Sequence, residues 1–316
     1  TADFEIKRKI PANKTKTFSA TLVSLERKLV ANGSSFDRSG RLKRKNIIHL
    51  NEHAATALIR DLSDTTLKVF AADDKTFRRR PAPPFMTSTL QQEASRKLGM
   101  TATMTMRTAQ SLYEKGLITY MRTDSLTLSK AAYDITRDII YQNYGQEYLP
   151  AKPRHYSSKV KNAQEAHEAI RPTGNYFKTP NKAGSTLPQP EAQLYELIWK
   201  RTLASQMTDT VGSTVHVRIG GTTADKRDVE FAVSGTTITH DGFRKIYSEG
   251  TDERPSEFDE KEHPLPPLKV GDAVSTKDMA IGNHTTLPPA RFTEASLVRR
   301  LESLGVGRPS TYATIM

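Results

Sequence analysis

The stretch Gly116-Leu117-Ile118-Thr119-Tyr120-Met121-Arg122-Thr123-Asp124-Ser125 decides how the rest of the chain is read. It follows a helical run from Thr105 to Lys115 that stops at Gly116, and Leu117 to Thr123 then has the pattern of a short strand. Strand side chains alternate faces, so Tyr120 and Arg122 are expected to share one. A free phenol titrates near roughly pH 10 and is a poor nucleophile at neutral pH. A neighbouring cation favours the phenolate, and the same guanidinium can bind a phosphate that the phenolate attacks. The spacing by itself also fits an ordinary half-buried strand with a Tyr and an Arg at its rim, the commoner arrangement.

Longer motifs surround it. Phe85-Met86-Thr87-Ser88-Thr89-Leu90-Gln91-Gln92-Glu93-Ala94 comes first, then Ala109-Gln110-Ser111-Leu112-Tyr113-Glu114. Glu165-Ala166-His167-Glu168-Ala169-Ile170-Arg171-Pro172-Thr173 and Gly307-Arg308-Pro309-Ser310-Thr311-Tyr312 follow. In this order they resemble the active-site region of the bacterial type IA DNA topoisomerases, over a span from about Arg78 to the C-terminus. Residues before Arg78 fit that family only loosely.

Composition limits the alternatives. The 316 residues are 36% hydrophobic and 26% charged, which suits folded cores and two or three domains. No stretch approaches the run of about 20 apolar residues that spans a bilayer, and no signal peptide is visible. With no cysteine, disulfides and cysteine-ligated zinc are excluded. Lys and Arg number 47 against 35 Asp and Glu, a net charge of +12. Residues 1–100 hold 20 of the former and 10 of the latter. Such an excess suggests a polyanion, nucleic acid first, with an acidic membrane surface or a plain solubility charge as the other readings. The chain opens without Met and ends inside a helical pattern, and reads as a piece of something longer.

The periodicities give an α+β fold. Strands are expected at Phe4–Arg8, Lys16–Ser24, Leu67–Ala71, Thr214–Ile219, Val229–Val233, Thr236–Thr239 and Val274–Ala280. Gly220-Gly221 and Ser234-Gly235 read as hairpin turns. Asn51 caps a helix to Leu62, and Asp73-Asp74 falls in a hinge loop. Arg78-Arg79-Arg80 leads into the stiff linker Pro81-Ala82-Pro83-Pro84, where a domain boundary is placed. Ser88 and Gln91 form a capping box for a helix to Leu98. Ser129 caps a helix to Tyr144, Ala163–Ile170 is a short helix ended by Arg171-Pro172, and Glu191–Ser205 is a long one. Thr293 caps a helix to Ser303, and Pro309-Ser310-Thr311 starts another. Residues 1–79 and 207–286 thus form one discontinuous β-rich domain, 80–206 a mainly helical, winged-helix-like insert, and 287–316 the start of a further helical domain.

The resemblance implies more. Its family forms a toroid in which the β-rich domain is a hinge and the helical insert carries the active-site tyrosine. By motif position Tyr120 is the nucleophile and Arg122 binds the scissile phosphate. Gln110, Tyr113, His167, Arg171, Arg308, Ser310 and Thr311 are candidate DNA contacts. The expected partner is DNA, mainly single-stranded, acted on by a monomer in the bacterial cytoplasm. The family's Mg²⁺ site belongs to an acidic domain N-terminal to these motifs, so no metal site is expected here and this chain alone is expected to be inactive. Two other classes stay open: a tyrosine recombinase or nuclease, which needs more basic residues around the tyrosine, and a non-catalytic single-stranded DNA-binding module.

Overall fold

The computed structural model describes residues 1–7, 16–62, 65–157, 168–251, 263–285, 288 and 290–316. The chain divides into two compact units. One comprises Thr1–Phe77, Gly212–Thr239 and Glu257–Pro289, the other Arg78–Val211, His240–Ser256 and Ala290–Met316.

The first unit is a barrel. Its strands are β1 (Ala2–Ile6), β2 (Thr17–Leu25), β3 (Lys28–Val30), β4 (Ile47–Ile48), β5 (Leu67–Arg79), β6 (Thr210–Thr222), β7 (Asp228–His240) and β8 (Ala273–Met279), with helix α1 (Glu52–Leu62) before β5. They lie in the order β1-β8-β5-β6-β7-β2-β3-β4, and β1 also pairs with β2. That pairing closes six strands into a ring and leaves β3 and β4 as an extension of β2. Closure removes the exposed edges an open sheet would carry. Alternation in β2 puts Phe18 and Ala20 inside and Thr17, Ser19 and Thr21 outside. A register shift against β7 between Leu22 and Ser24 then brings Ser24 and Leu25 inward together. Phe4 is fully buried, meeting Phe231 edge to face at 5.2 Å and Phe18 at 5.8 Å. Leu58 and Leu62 of α1 join the same core, and Asn51 caps α1 by accepting from Ala54 N at 2.8 Å.

Several turns expected from glycine are strand instead. Gly220 and Gly221 lie inside β6 and Gly235 inside β7. A Cβ on Gly220 would stand 2.9 Å from the Phe70 ring, and one on Gly235 would stand 2.4 Å from Leu265 Cγ. These glycines permit close packing rather than reversal of the chain. The reversal between β6 and β7 falls at Thr223–Arg227, where Lys226 has a φ of 66° and Thr223 N donates to Arg227 O. Asp73 and Asp74 are likewise within β5, not in a loop.

The second unit is helical: α2 (Thr87–Leu98), α3 (Ala102–Glu114), α4 (Lys130–Tyr144), α5 (Pro180–Gly184), α6 (Gln189–Ser205), α7 (Glu294–Ser303) and α8 (Tyr312–Ile315). Helix α6 buries residues nearly all round, including Leu194, Tyr195, Ile198, Trp199 and Leu203, and packs against α2, α3, α4 and α5. Its Arg201 is buried, with the guanidinium 4.8 Å above the Phe85 ring, and donates to Pro83 O at 2.6 Å and to Glu249 at 2.5 Å. This fixes the approach to α2.

Local signals placed most helix ends. Ser129 accepts from Ala132 N, Thr293 from Ser296 N, and Gly99 takes the left-handed cap of α2. Two starts differ from expectation. Helix α3 begins at Ala102, because Thr101 accepts from Met104 N. Ser88 does not cap α2: it lies in the first turn and donates instead to Glu302 of α7 at 2.7 Å. Helix α7 also helps to cap α3, since Glu294 accepts from Ala102 N at 2.6 Å.

Candidate active site

Leu117–Thr123 is not a strand but a run of bends around one bridged residue. Among the described residues a single bridge, Ile118 to Pro172, is its only ladder-type pairing, and proline has no N–H to continue one. The segment's backbone groups divide between two partners instead. On one side Thr119 N donates to Arg171 O at 2.9 Å and Thr173 N to Leu117 O at 3.1 Å. On the other, Thr87 at the start of α2 takes up residues 121–123. Burial follows the expected alternation only over residues 120–123, because Ile118, two residues before Tyr120, is buried where alternation would expose it. Ile118, Met121 and Thr123 are buried, while Tyr120 is 43% exposed and Arg122 is exposed.

Each neighbour of Tyr120 is anchored through a threonine hydroxyl. Thr119 Oγ1 donates to Ala169 O at 2.7 Å and accepts from Arg171 N at 3.0 Å. Thr87 Oγ1 lies 2.7 Å from Met121 O and 3.0 Å from Thr123 O, and accepts from Thr123 N at 2.9 Å. Tyr120 therefore projects from a backbone held at both ends, and Met121 beside it is sealed in the core. Among the described residues Arg122 makes no ion pair or side-chain hydrogen bond, which leaves its guanidinium available to a ligand.

The helix before this segment brings a second ring. Tyr113 is 40% exposed and meets Tyr120 edge to face. One turn earlier Gln110 is partly exposed and donates to Glu114 at 2.7 Å. The structure thus groups Tyr113 with Tyr120 and puts Gln110 beside them on α3.

Arg171 is tied to the same place by its backbone, but its side chain points into protein. It donates to Glu168 at 2.5 Å, to Ser129 Oγ at 3.3 Å and to Pro172 O at 2.7 Å. Glu168 also accepts from Ser129 N at 2.5 Å. Burial alone would raise the Glu168 carboxyl, but the bonds from Ser129 and Arg171 outweigh it and hold the carboxyl below its ordinary value. Arg171 Nε is buried and has no hydrogen-bond partner among the described residues. Residues 168–170 are not helical, and Ile170 is bridged to Phe85, where the sequence predicts the end of a helix. His167 and the rest of the expected helix, 163–167, lie outside the described residues.

Arg308, Ser310 and Thr311 are exposed on a turn before α8. Thr311 Oγ1 accepts from Arg308 N at 2.9 Å, and Arg308 donates to Gly307 O at 3.0 Å. Burial raises the Tyr312 hydroxyl, with the charges of Glu302 and Asp124 adding and that of Arg308 opposing. Tyr312 is thereby within electrostatic reach of Asp124, four residues past Tyr120. Helix α8 meets α3 where Thr103 donates to Ala313 O. Thr103 precedes Tyr113 by ten residues, about 15 Å along a helix axis. The last motif thus meets α3 at the end away from Tyr113.

Sequence reasoning missed Thr87, Thr119 and Glu168 as site-building residues. All lie within or beside the quoted motifs. What hid them is that each acts on backbone or on a neighbouring side chain, a role no spacing announces.

The similarities to known proteins agree with this arrangement. A family model described as DNA topoisomerase matches residues 6–316. DNA topoisomerase 1 of Streptomyces coelicolor is 51% identical over 316 residues, covering 100% of this chain and 33% of that protein. DNA topoisomerase 1 of Mycolicibacterium smegmatis is 49% identical over 318 residues, covering 100% of this chain and 34% of the relative. The structure of full-length topoisomerase I from Thermotoga maritima superposes with a TM-score of 0.68 at 36% identity, over 87% of this chain and 43% of that one. The chain spans about a third of the length of the curated relatives it matches. A match to the family model along nearly all its length, with the motifs from Phe85 to Tyr312 in order, means that the chain belongs to the bacterial type IA DNA topoisomerases.

Proposed function

We propose that this chain supplies the tyrosine-bearing part of an ATP-independent DNA topoisomerase. Tyr120 Oη attacks a phosphodiester of one DNA strand. The bond to the 3′ oxygen breaks, giving a 5′-phosphotyrosyl link and a free 3′-hydroxyl. A second strand passes through the gap, and the 3′-hydroxyl then attacks the phosphotyrosine, restoring the DNA and the phenol. The covalent link conserves the phosphodiester energy, so no nucleotide is consumed. In this reading Arg122 binds the scissile phosphate. Gln110, Tyr113, His167, Arg308, Ser310 and Thr311 contribute to the DNA path, and Arg171 contributes by holding Thr119 through its backbone while its own side chain is bound to Glu168. The barrel is the hinge of a toroid, α2 and α3 are the helix-turn-helix of a winged-helix-like domain, and 287–316 begins a further DNA-binding domain. The protein acts as a monomer in the cytoplasm. Among the described residues no helix is long and apolar enough to cross a membrane.

The observation that carries this reading is the exposed Tyr120, held by its neighbours' backbone and one residue removed from an exposed arginine with no ion pair or side-chain hydrogen bond among the described residues. Mg²⁺ belongs to the family's chemistry. Among the described residues no three of His, Cys, Asp or Glu group so as to hold a metal ion. The described residues do not fit one, and no step is assigned to a metal here. We place its ligands in the part of the relatives that this chain does not cover, and assign strand cleavage to the whole protein rather than to this chain alone.

The test is Tyr120→Phe in the whole protein, assayed by denaturing gel for protein linked to the 5′ end of an end-labelled single strand. Phe keeps the ring, so melting temperature and non-covalent binding stay near wild type while the adduct disappears. An adduct that persists removes Tyr120 as the nucleophile. A wild-type protein that binds DNA and never forms an adduct leaves the non-catalytic binding module as the function.

A further inference from the structure

We propose that Thr87 is a positioning residue, the clamp that fixes the backbone of Arg122 and so aims its guanidinium; as a statement about catalysis this rests on Tyr120 and Arg122 being the reacting pair. Three bonds from Thr87 bracket Arg122. Its N–H donates to Thr123 O at 2.9 Å, its Oγ1 accepts from Thr123 N at 2.9 Å, and its hydroxyl proton goes to Met121 O at 2.7 Å, the nearer of two carbonyls. A hydroxyl has one proton and two lone pairs, so it can give the proton to Met121 O while a lone pair accepts from Thr123 N.

The position suits the task. Thr87 is the first residue of α2, where a backbone N–H has no partner within the helix. That orphan donor is spent on Thr123. The side chain is fully buried, so water does not compete for the bonds. Its β-branch restricts χ1 and fixes the direction of the hydroxyl. Phe85 and Pro83, just before it, are held by Arg201 of α6. The clamp is therefore grounded in the core of the helical unit. Thr119 performs the matching task before Tyr120, so the loss of Thr87 frees only the Arg122 side of the segment.

The experiment compares Thr87→Val and Thr87→Ser in the whole protein. Val keeps shape and burial but strands Met121 O and Thr123 N–H; Ser restores the hydroxyl. Single-turnover cleavage of a labelled single-stranded oligonucleotide should fall on the order of 10²-fold in Thr87→Val, the scale of a misplaced reacting group, and should largely return in Thr87→Ser. Affinity for the uncleaved oligonucleotide, measured in a Tyr120→Phe background, should change far less than the rate. Amide hydrogen exchange should accelerate at Arg122 and Thr123 in Thr87→Val but not at Thr119 or Arg171. Wild-type cleavage in Thr87→Val overturns the proposal, as does a loss that follows melting temperature and is not rescued by Ser. If wild type forms no adduct while exchange at Thr123 still follows the Thr87 hydroxyl, the clamp stands and the reading of Tyr120 as nucleophile is what fails.

Discussion

The ring of Tyr113 meets that of Tyr120 edge to face, with centroids 5.3 Å apart and planes at 69°. Such a pair is worth about 0.5–1.5 kcal/mol beyond its buried area, enough to bias the ring that carries the attacking oxygen. Both rings are also open to a base. Tyr113→Ala should therefore weaken single-stranded oligonucleotide binding by roughly 1–3 kcal/mol, the range for one stacked base, while Tyr113→Phe should leave it nearly unchanged. Fluorescence anisotropy with a labelled oligonucleotide decides, and an Ala variant that binds like wild type would remove stacking from the argument.

Arg122 offers a test of phosphate binding that does not depend on cleavage. A phosphate contact to a single strand adds about 0.7 to the magnitude of the slope of log K against log salt. Arg122→Ala should flatten the slope by about that amount. Arg122→Lys should keep the slope and still cleave less well than wild type, because it keeps the charge without the bidentate fork. Titration at several salt concentrations reads this directly, and an unchanged slope in Arg122→Ala would place the guanidinium off the DNA backbone.

The two glycines before α8 should differ. Gly305 has a φ of 71° and open space where a Cβ would stand. Gly307 has a φ of 87°, and a Cβ there would stand 2.9 Å from Cε1 of the Tyr312 ring. Gly305→Ala should cost only the left-handed backbone term, roughly 1–2 kcal/mol. Gly307→Ala should add an overpacking term of about 1–3 kcal/mol and loosen residues 307–316. Hydrogen exchange across that segment separates them; equal effects would mean that Tyr312 yields without cost.

Two carboxylates should give the helical unit opposite pH responses. Burial raises Glu302 above 4.5, its bond from Ser88 opposing in part. A raised carboxyl stabilises fully below its unfolded value, and that stability is lost as pH rises through the folded value. Glu302→Gln should thus raise the melting temperature at neutral pH and flatten its fall above about pH 4.5. Glu168 is lowered, its bonds from Ser129 and Arg171 outweighing burial. Its stabilisation is present above the unfolded value and lost as pH falls through the folded one. Glu168→Gln should lower the melting temperature at neutral pH and make the acid limb shallower. Melting curves from acid to neutral pH check both signs.

What was legible in the sequence was mostly what a few neighbouring residues settle. The caps at Asn51, Ser129 and Thr293 bond to amides three residues on, so the local sequence announces them. Ser88 has the same local chemistry, but its hydroxyl faces Glu302, more than 200 residues away in the chain. The turn reading of Ser234-Gly235 failed similarly: the glycine accommodates Leu265. Local rules cannot see a partner that folding brings from elsewhere.

By itself the sequence determined the family, the α+β content and Tyr120 with Arg122 as the pair of interest, because long motifs and helix periodicity are properties of contiguous residues. It did not determine how that pair is held. A strand was the natural reading of Leu117–Thr123, since alternation is all a strand requires locally. Which groups accept its N–H and C=O bonds is a question of what lies alongside. Folding brought Ala169–Thr173 to one side and the first residue of α2 to the other, and that decided between a ladder and two clamps. The same physics turned Arg171 toward Glu168: a buried guanidinium takes the nearest carboxylate, and only the tertiary structure says which one that is.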